Sequence, residues 1–374
     1  MKRLYILSVI VLLSCVSVKA QQRVIDAVNN SPVAVASILD AAGNMVGFTF
    51  SDGTFSEIPE TVYPITLRCL GYEQLVIDCP EEKTWEMIPV AYELDEVVIV
   101  PVERNILKQT FYVREYFSLC NKSDTVTFFM EHMADRFVPV AKGVKFDGNS
   151  SLRILETHNY SRFKMLGKDS VTVDSKISIP SMLVIFELND EEIVAPESFK
   201  GAGSTIKLHE ESGKSGMSLI QKQNAYTFTT IEDVLAGRKE HKYSPWVLKL
   251  LGFGMEFNQF YTTQAYRVND HGVYMSKDLI EAGFVMEADG KGKFFRKALK
   301  SDAPVVIRSM IELYIVDRDY LSKEESKSEC KNRPSDVKFV IPANVPPLDA
   351  ATRQLVERAN AEASMVNGEK VFVR

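Results

Sequence analysis

Cysteine is scarce in this chain: five residues in 374, one of them Cys15 in the N-terminal apolar stretch. The others, Cys69, Cys79, Cys120 and Cys330, are too few and too widely spaced for a disulfide scaffold. Cys69 and Cys79 fall on strand-like parities with Ile65, Leu67, Leu75 and Ile77, so both are expected to point into a core; a redox pair is the alternative reading. Histidine is equally sparse, with five residues, none of which begins an HExxH or HxxE pattern. The nearest approach, His132-Met133-Ala134-Asp135, reads as a solvated polar helix face, so no metal and no cofactor is expected. There is no GxSxG elbow and no GxxxxGK[ST] phosphate loop. Basic charge is not in excess: 44 Lys and Arg stand against 50 Asp and Glu, which argues against general nucleic-acid binding. No repeat period is visible, and beyond the first twenty residues no apolar run reaches the ~20 residues of a membrane-spanning helix.

What is present begins at the N-terminus. Lys2 and Arg3 precede the apolar stretch Leu4 to Val18, and Val18-Lys19-Ala20 offers a small-residue cleavage site. This is the layout of a secretory signal, residues 1–20. The chain is therefore expected to be exported, in the periplasm or associated with the outer membrane. Leu12-Leu13-Ser14-Cys15 also resembles a bacterial lipobox, in which Cys15 would carry lipid. The two alternatives are cleavage after Ala20 and lipidation at Cys15. Removing residues 1–20, which carry three cations and no acid, takes the formal charge from −6 to −9.

Residues 21–100 read as a module of seven short strands: 23–28, 33–39, 45–50, 63–70, 72–78, 84–90 and 96–100. Asn29-Asn30-Ser31-Pro32, Ala42-Gly43-Asn44 and Ser51-Asp52-Gly53 separate them, as in an antiparallel sandwich. The order of Pro32, Asp52-Gly53-Thr54-Phe55, Leu70-Gly71-Tyr72 and Glu93-Leu94-Asp95-Glu96-Val97-Val98-Ile99-Val100 resembles the carboxypeptidase regulatory-like domain. That resemblance implies a transthyretin-like β-sandwich in a Bacteroidetes envelope protein. It implies no peptidase activity, because the domain accompanies catalytic domains rather than being one. Arg23-Val24-Ile25-Asp26 departs from the family in lacking a first-strand glycine.

Residues 101–374 are expected to form an α+β domain with a mainly antiparallel sheet; by resemblance the region is similar only to uncharacterised proteins. Helices are predicted from Asp124 to Phe137, where Val126, Phe129, Met130, Met133 and Phe137 keep a helical spacing, and from Thr230 to Gly237. Two more are predicted at 245–251, after Pro245, and at 349–368. Strands are predicted at 110–119, 161–166, 170–173, 182–188, 226–229, 257–268, 272–275, 293–299 and 305–316. Residues 323–333 read as a charged loop or helix, and Pro342 to Pro347 as a rigid connector.

One segment opposes the charge of the whole. Between Asp289 and Lys300 lie Lys291, Lys293, Arg296, Lys297 and Lys300, interrupted by Phe294 and Phe295. The expectation is a hairpin with one of the two rings facing inward. These five cations form the candidate binding site, for an envelope or outer-membrane protein, an anionic lipid or a glycan; the alternative is a solvated cationic face. Asp190-Glu191-Glu192, Glu210-Glu211, Gly213-Lys214-Ser215-Gly216 and Cys120 read as turns and a buried thiol rather than catalytic groups. The function expected is a non-catalytic binding or assembly role in the envelope, with no catalytic residue assigned. The alternative is an envelope hydrolase whose active site assembles from scattered residues of the second domain.

Overall fold

Turn residues cut the first part of the chain into six short strands, β1 (Arg23–Asp26), β2 (Ser37–Leu39), β3 (Met45–Phe48), β4 (Ile65–Arg68), β5 (Leu75–Ile77) and β6 (Thr84–Met87). The structure is a computed structural model that describes residues 22–90, 104–140, 152–173, 181–199, 207–212, 218–223, 226–250, 252–299, 303–332, 334 and 336–367. The expected signal peptide with Cys15, the seventh strand at 96–100, the 213–216 tip and Lys300 lie outside the described residues.

The module is a small β-sandwich. A four-stranded antiparallel sheet in the order β3-β2-β4-β5 faces the pair β1-β6. Val24, Trp85 and Met87 from the pair meet Ile38, Ile65, Leu67 and Ile77 from the sheet in one core. The β1–β6 pairing is parallel, where antiparallel pairing throughout was expected. Gly71, at φ +79°, reverses the chain, and Tyr72 then reaches back to donate to Asp26 Oδ2 at 2.9 Å.

The rest of the chain is dominated by one ten-stranded antiparallel sheet. Its strands are β7 (Ile106–Cys120), β8 (Thr125–Pro139), β9 (Arg153–Met165), β10 (Lys168–Val173), β12 (Lys207–Ser212), β13 (Ser218–Gln223), β14 (Thr227–Asp233), β15 (Gly254–Arg267), β17 (Leu279–Lys291) and β18 (Val305–Leu321). They lie in the order β10-β9-β8-β7-β18-β17-β15-β14-β13-β12. The short strands β11 (Ile193–Val194) and β16 (Val273–Tyr274) pair separately. Four helices decorate the sheet: α1 (Trp246–Leu250), α2 (Lys293–Leu299), α3 (Lys323–Lys331) and α4 (Ala350–Asn367). The α+β build with antiparallel pairing is as expected.

Both faces of the large sheet are covered. On one, Phe117, Phe128, Phe257, Phe284 and Ile311 pack beneath inserted chain carrying Met182, Leu183, Phe186, Phe199, Leu248 and Phe295. On the other, Tyr116, Phe129, Ile231, Val285 and Met310 pack against Ala34, Val35, Leu39, Met45 and Phe48 of the module and Leu355 and Ala359 of α4. We call these the insert face and the module face.

This double burial explains the largest correction. The predicted helix from Asp124 to Phe137 is strand β8. Val126, Phe128 and Met130 face one side and Phe129, Glu131 and Met133 the other; with apolar residues on both sides, the period of two disappears. Asp124 is no helix cap: its Oδ1 accepts from Leu166 N at 2.8 Å beside the β7–β8 turn. The predicted helix at 230–237 is the end of β14 followed by a turn, in which Asp233 Oδ1 accepts from Leu235 N. Two predicted strands are helical: Met182–Ile185 is a single 3-10 turn, and Lys293–Leu299 is α2. Helices α1 and α4 stand where expected, and Asp349 caps α4 through Thr352 N at 2.9 Å. Cys79 is exposed rather than buried, because it leaves β5 after the strand has ended.

The module is fastened to the sheet by a buried charge. Arg68, at the end of β4, donates to Glu312 Oε2 at 2.6 Å and to the Tyr116 hydroxyl, with Asp349 Oδ2 3.7 Å away. Burial is the largest single influence and opposes its charge, but Glu312, Tyr116, Tyr314 and Asp349 together outweigh it and hold the guanidinium above its ordinary value. The strap before α4 is held from both sides. Gln74 Nε2 donates to Pro347 O and Arg114 Nη1 to Pro346 O, each at 2.5 Å.

Candidate functional site

The cationic segment starts where β17 ends. Lys291 is the last residue of the strand, Gly292 turns the chain at φ +116°, and Lys293, Arg296 and Lys297 follow on α2. All four cations are exposed. The segment is therefore a strand end and a helix, not a hairpin. The reason lies in the apolar spacing: Phe295, Ala298 and Leu299 fall at i, i+3, i+4 and are all buried. Of the two rings, Phe295 is buried and Phe294 half-buried, as the expectation of one inward ring required.

Structure adds a second component that sequence reasoning did not connect with the first. Helix α1 packs by Leu248, which is fully buried, but leaves Trp246 71% and Leu250 74% exposed, with Lys249 exposed between them. After α1 the chain turns at Gly252, and the ring of Phe253 lies 4.3 Å from that of Phe294 and 6.3 Å from that of Phe295. Close backbone approach requires the glycines here. A Cβ on Gly254 would stand 2.4 Å from Lys291 O, and one on Gly292 3.3 Å from Gly252 O. The turns Gly252-Phe253-Gly254 and Gly290-Lys291-Gly292 thus lie against each other, which sets α1 beside α2. Glu256 and Asp289 are the neighbouring acids along the paired strands, and Lys242 Nζ holds Glu256 at 2.9 Å. Beside α2 opens a cleft of about 560 Å³ lined by Asp289, Lys291, Gly292, Phe295, Arg296 and Pro304.

The sequence places α1 but not its part in the site, although one trace marks it: a five-residue helix with apolar residues at Trp246, Leu248 and Leu250 has more apolar sides than one core can cover. Its nearness to the cations comes from β15 pairing with β17, which no local pattern announces.

Two polar clusters lie within the insert face. In the first, His132 sits buried on β8, not on a solvated helix. Its Nε2 is 3.3 Å from Glu115 Oε2 and its Nδ1 2.9 Å from Oγ1 of exposed Thr157. Glu115 also accepts from Ser181 Oγ at 2.7 Å and Met182 N at 2.6 Å, so the inserted turn satisfies its remaining capacity. In the second, Arg136 donates from Nε to Gln109 Oε1 and from Nη1 to Asp190 Oδ1, both at 2.8 Å, and Ser276 Oγ donates to the same carboxylate oxygen at 2.9 Å. Asp190 is thus partnered by a guanidinium rather than by a second carboxylate. Burial lowers the Arg136 pKa, and the Asp190 charge works against that.

Between module and sheet is a smaller cavity of about 50 Å³, bordered by Ser37, Arg68, Cys69, Lys222, Glu281 and Glu312. It has room for a few waters, not for a substrate. Burial lowers the Lys222 pKa and pushes the Cys69 thiol up to about 12. Burial likewise raises Cys120, which disfavours the thiolate a nucleophile needs. Among the described residues no group of three or more His, Cys, Asp or Glu is placed to hold a metal ion.

No family model and no curated protein matches the chain. Among solved structures, a chain of lipovitellin, studied for its lipid–protein interactions, is similar at a TM-score of 0.28 and 9% identity. The match covers 58% of this chain and 26% of that one, so the chain spans about a quarter of lipovitellin's length. A likeness of that size fixes neither fold nor ligand.

Proposed function

We propose that this chain is an exported cell-envelope protein with a non-catalytic binding or assembly role, acting in the periplasm or at the outer membrane. The observation that carries the reading is the α1–α2 end: Lys291, Lys293, Arg296 and Lys297 beside exposed Trp246 and Leu250, on a chain of net charge −6. Exposed apolar side chains next to clustered like charge mark contact surfaces rather than ordinary solvated ones. The signal-like layout of residues 1–20 and the likeness of residues 21–100 to the carboxypeptidase regulatory-like domain support the envelope setting. The test is fractionation of cell envelopes at low and high salt. With Lys291→Gln, Lys293→Gln and Lys297→Gln combined, envelope association should fall and the melting temperature should stay nearly unchanged, because exposed charges contribute little to stability. Identical distributions for variant and wild type at every salt concentration would remove the reading.

A second reading, an envelope hydrolase, is favoured by one specific observation: Thr157, His132 and Glu115 form a line of hydroxyl, imidazole and carboxylate. In acyl transfer the Thr157 hydroxyl would attack the ester carbonyl carbon, with His132 taking its proton, oriented by Glu115, and passing it to the alcohol that departs as the ester C–O bond breaks; water would then release the acyl group by the same route. A broad panel of activated esters tests this. Hydrolysis that disappears in Thr157→Val and His132→Gln supports the second reading; hydrolysis that survives both substitutions, or is absent from the wild type, excludes it.

A further inference from the structure

We infer that the α1–α2 end docks on the surface of an anionic phospholipid bilayer, with Trp246 and Leu250 entering the headgroup region and the surrounding cations meeting lipid phosphates. The inference rests on the binding role proposed above and names its partner.

Three features on the molecule point to lipid. First, the apolar component is a pair of side chains at i and i+4 of α1, so both project from one side of a single short turn of helix. Tryptophan combines a large apolar ring with one N–H donor, and its favoured position is the boundary between hydrocarbon and water. Second, cations flank that pair on both helices: Lys249 within α1, and Lys293, Arg296 and Lys297 on α2, with Lys291 at the strand end between. Such long side chains can lie along apolar surface with their charged ends at the phosphate level. The acid nearest along β15, Glu256, is already held by Lys242. Asp289 also stands beside Lys291, but Lys249, Lys291, Lys293, Arg296 and Lys297 outnumber these two acids, so this end is cationic although the chain is acidic, and an anionic surface is its complement. Third, Phe253 against Phe294 and Phe295, together with the close backbone approaches at Gly254 and Gly292, joins the turn after α1 to the turn before α2, so the apolar and cationic elements belong to one packed end of the sheet. The cleft beside α2, lined by Lys291 and Arg296 together with Asp289, Phe295 and Pro304, opens next to these cations.

The experiment is co-sedimentation of the mature chain with vesicles, either phosphatidylcholine alone or phosphatidylcholine with an equal part of phosphatidylglycerol. Binding should require phosphatidylglycerol and should weaken between about 0.1 M and about 0.5 M salt, as screening shortens the reach of the charges. Combined Lys293→Gln, Arg296→Gln and Lys297→Gln should lower partitioning at least about tenfold, the scale set by cations near an anionic surface. Combined Trp246→Ser and Leu250→Ser should also lower it with every cation kept, which separates insertion from charge attraction alone. Lys83→Gln, an exposed cation on the module, should change nothing. Equal binding to both kinds of vesicle, or loss in neither combined variant, overturns the lipid surface. If vesicles fail to bind while envelope fractionation still responds to the lysine variants, the lipid inference falls and the binding role stands with a protein or glycan partner. If vesicles bind as described while envelope association ignores the lysines, the lipid contact stands and the proposed role falls.

Discussion

At the scale of residues, the account turns on buried charge. Arg68 is buried between Glu312, Asp349 and the Tyr116 hydroxyl, and through them it ties module, sheet and α4 together. Removing one partner of a buried pair leaves the other desolvated, so Arg68→Ala should cost about 3 kcal/mol of unfolding free energy in urea. Arg68→Met with Glu312→Leu should recover only part of that loss, because it removes the closest pair together but leaves the buried Asp349 carboxylate without its guanidinium. Lys222 is the opposite case. It is buried, its Nζ donates to Pro32 O at 3.2 Å, and burial lowers its pKa below the unfolded value of about 10.4. Between the folded and unfolded pKa values the unfolded chain binds more protons, so stability rises with pH there. Below the folded value both states are charged and the cost of burial is felt in full. Cys69 beside it works the other way: its thiol is pushed up to about 12, so above the unfolded value of about 8.5 the unfolded chain loses a proton that the folded chain keeps, and stability falls with pH. Lys222→Met should therefore raise the urea midpoint at neutral pH and make stability fall more steeply with pH in alkali, where the lysine no longer offsets the thiol; a lower midpoint with an unchanged alkaline slope would contradict this. Neither residue was legible as an anchor. Arg68 stands in a strand-like run as an ordinary polar residue and Lys222 in a stretch with no predicted element, and only pairing across 244 positions gives Arg68 its partner.

At the scale of elements, secondary structure is legible in the sequence where one face meets water and obscured where both are covered. Turn signals located the six described strands of the module, and Pro245 and Asp349 marked two helix starts. Strand β8 was misread because Val126, Phe129, Met130, Met133 and Phe137 are apolar at helical spacing only by way of belonging to two buried faces. Helix α2 was misread because Lys293 to Leu299 is short and rich in aromatics, and its role as a cap beside β17 is tertiary. The binding site was half legible. The local charge reversal marked the cations, whereas Trp246 and Leu250 join them only through the β15–β17 pairing. That juxtaposition depends on Gly254, where a Cβ would meet Lys291 O at 2.4 Å. Gly254→Ala should cost about 1–3 kcal/mol by overpacking and should loosen α1 from α2. Gly47→Ala, at a position with nothing within 4 Å of the new Cβ, is the control and should be close to neutral in thermal melting.

At the scale of the whole molecule, a β-sandwich module and a ten-stranded sheet share one buried seam, and the strap and α4 cover what remains of the module face. The insert face is filled by chain from 181–199, α1 and α2, and α1 presents two large apolar side chains, Trp246 and Leu250, to solvent. The molecule thus has a built-in reporter, because its two tryptophans sit in opposite settings: Trp85 is 6% exposed in the module core and Trp246 71% exposed on α1. The most direct measurement is tryptophan emission with phosphatidylglycerol vesicles whose acyl chains carry bromine, a quencher that acts only at close range. The account predicts that the Trp246 emission shifts to the blue and is quenched, that the Trp85 emission persists, and that Trp246→Phe removes the whole response. Emission that stays unchanged in wild type with every vesicle composition, at the low salt where attraction is strongest, would contradict it.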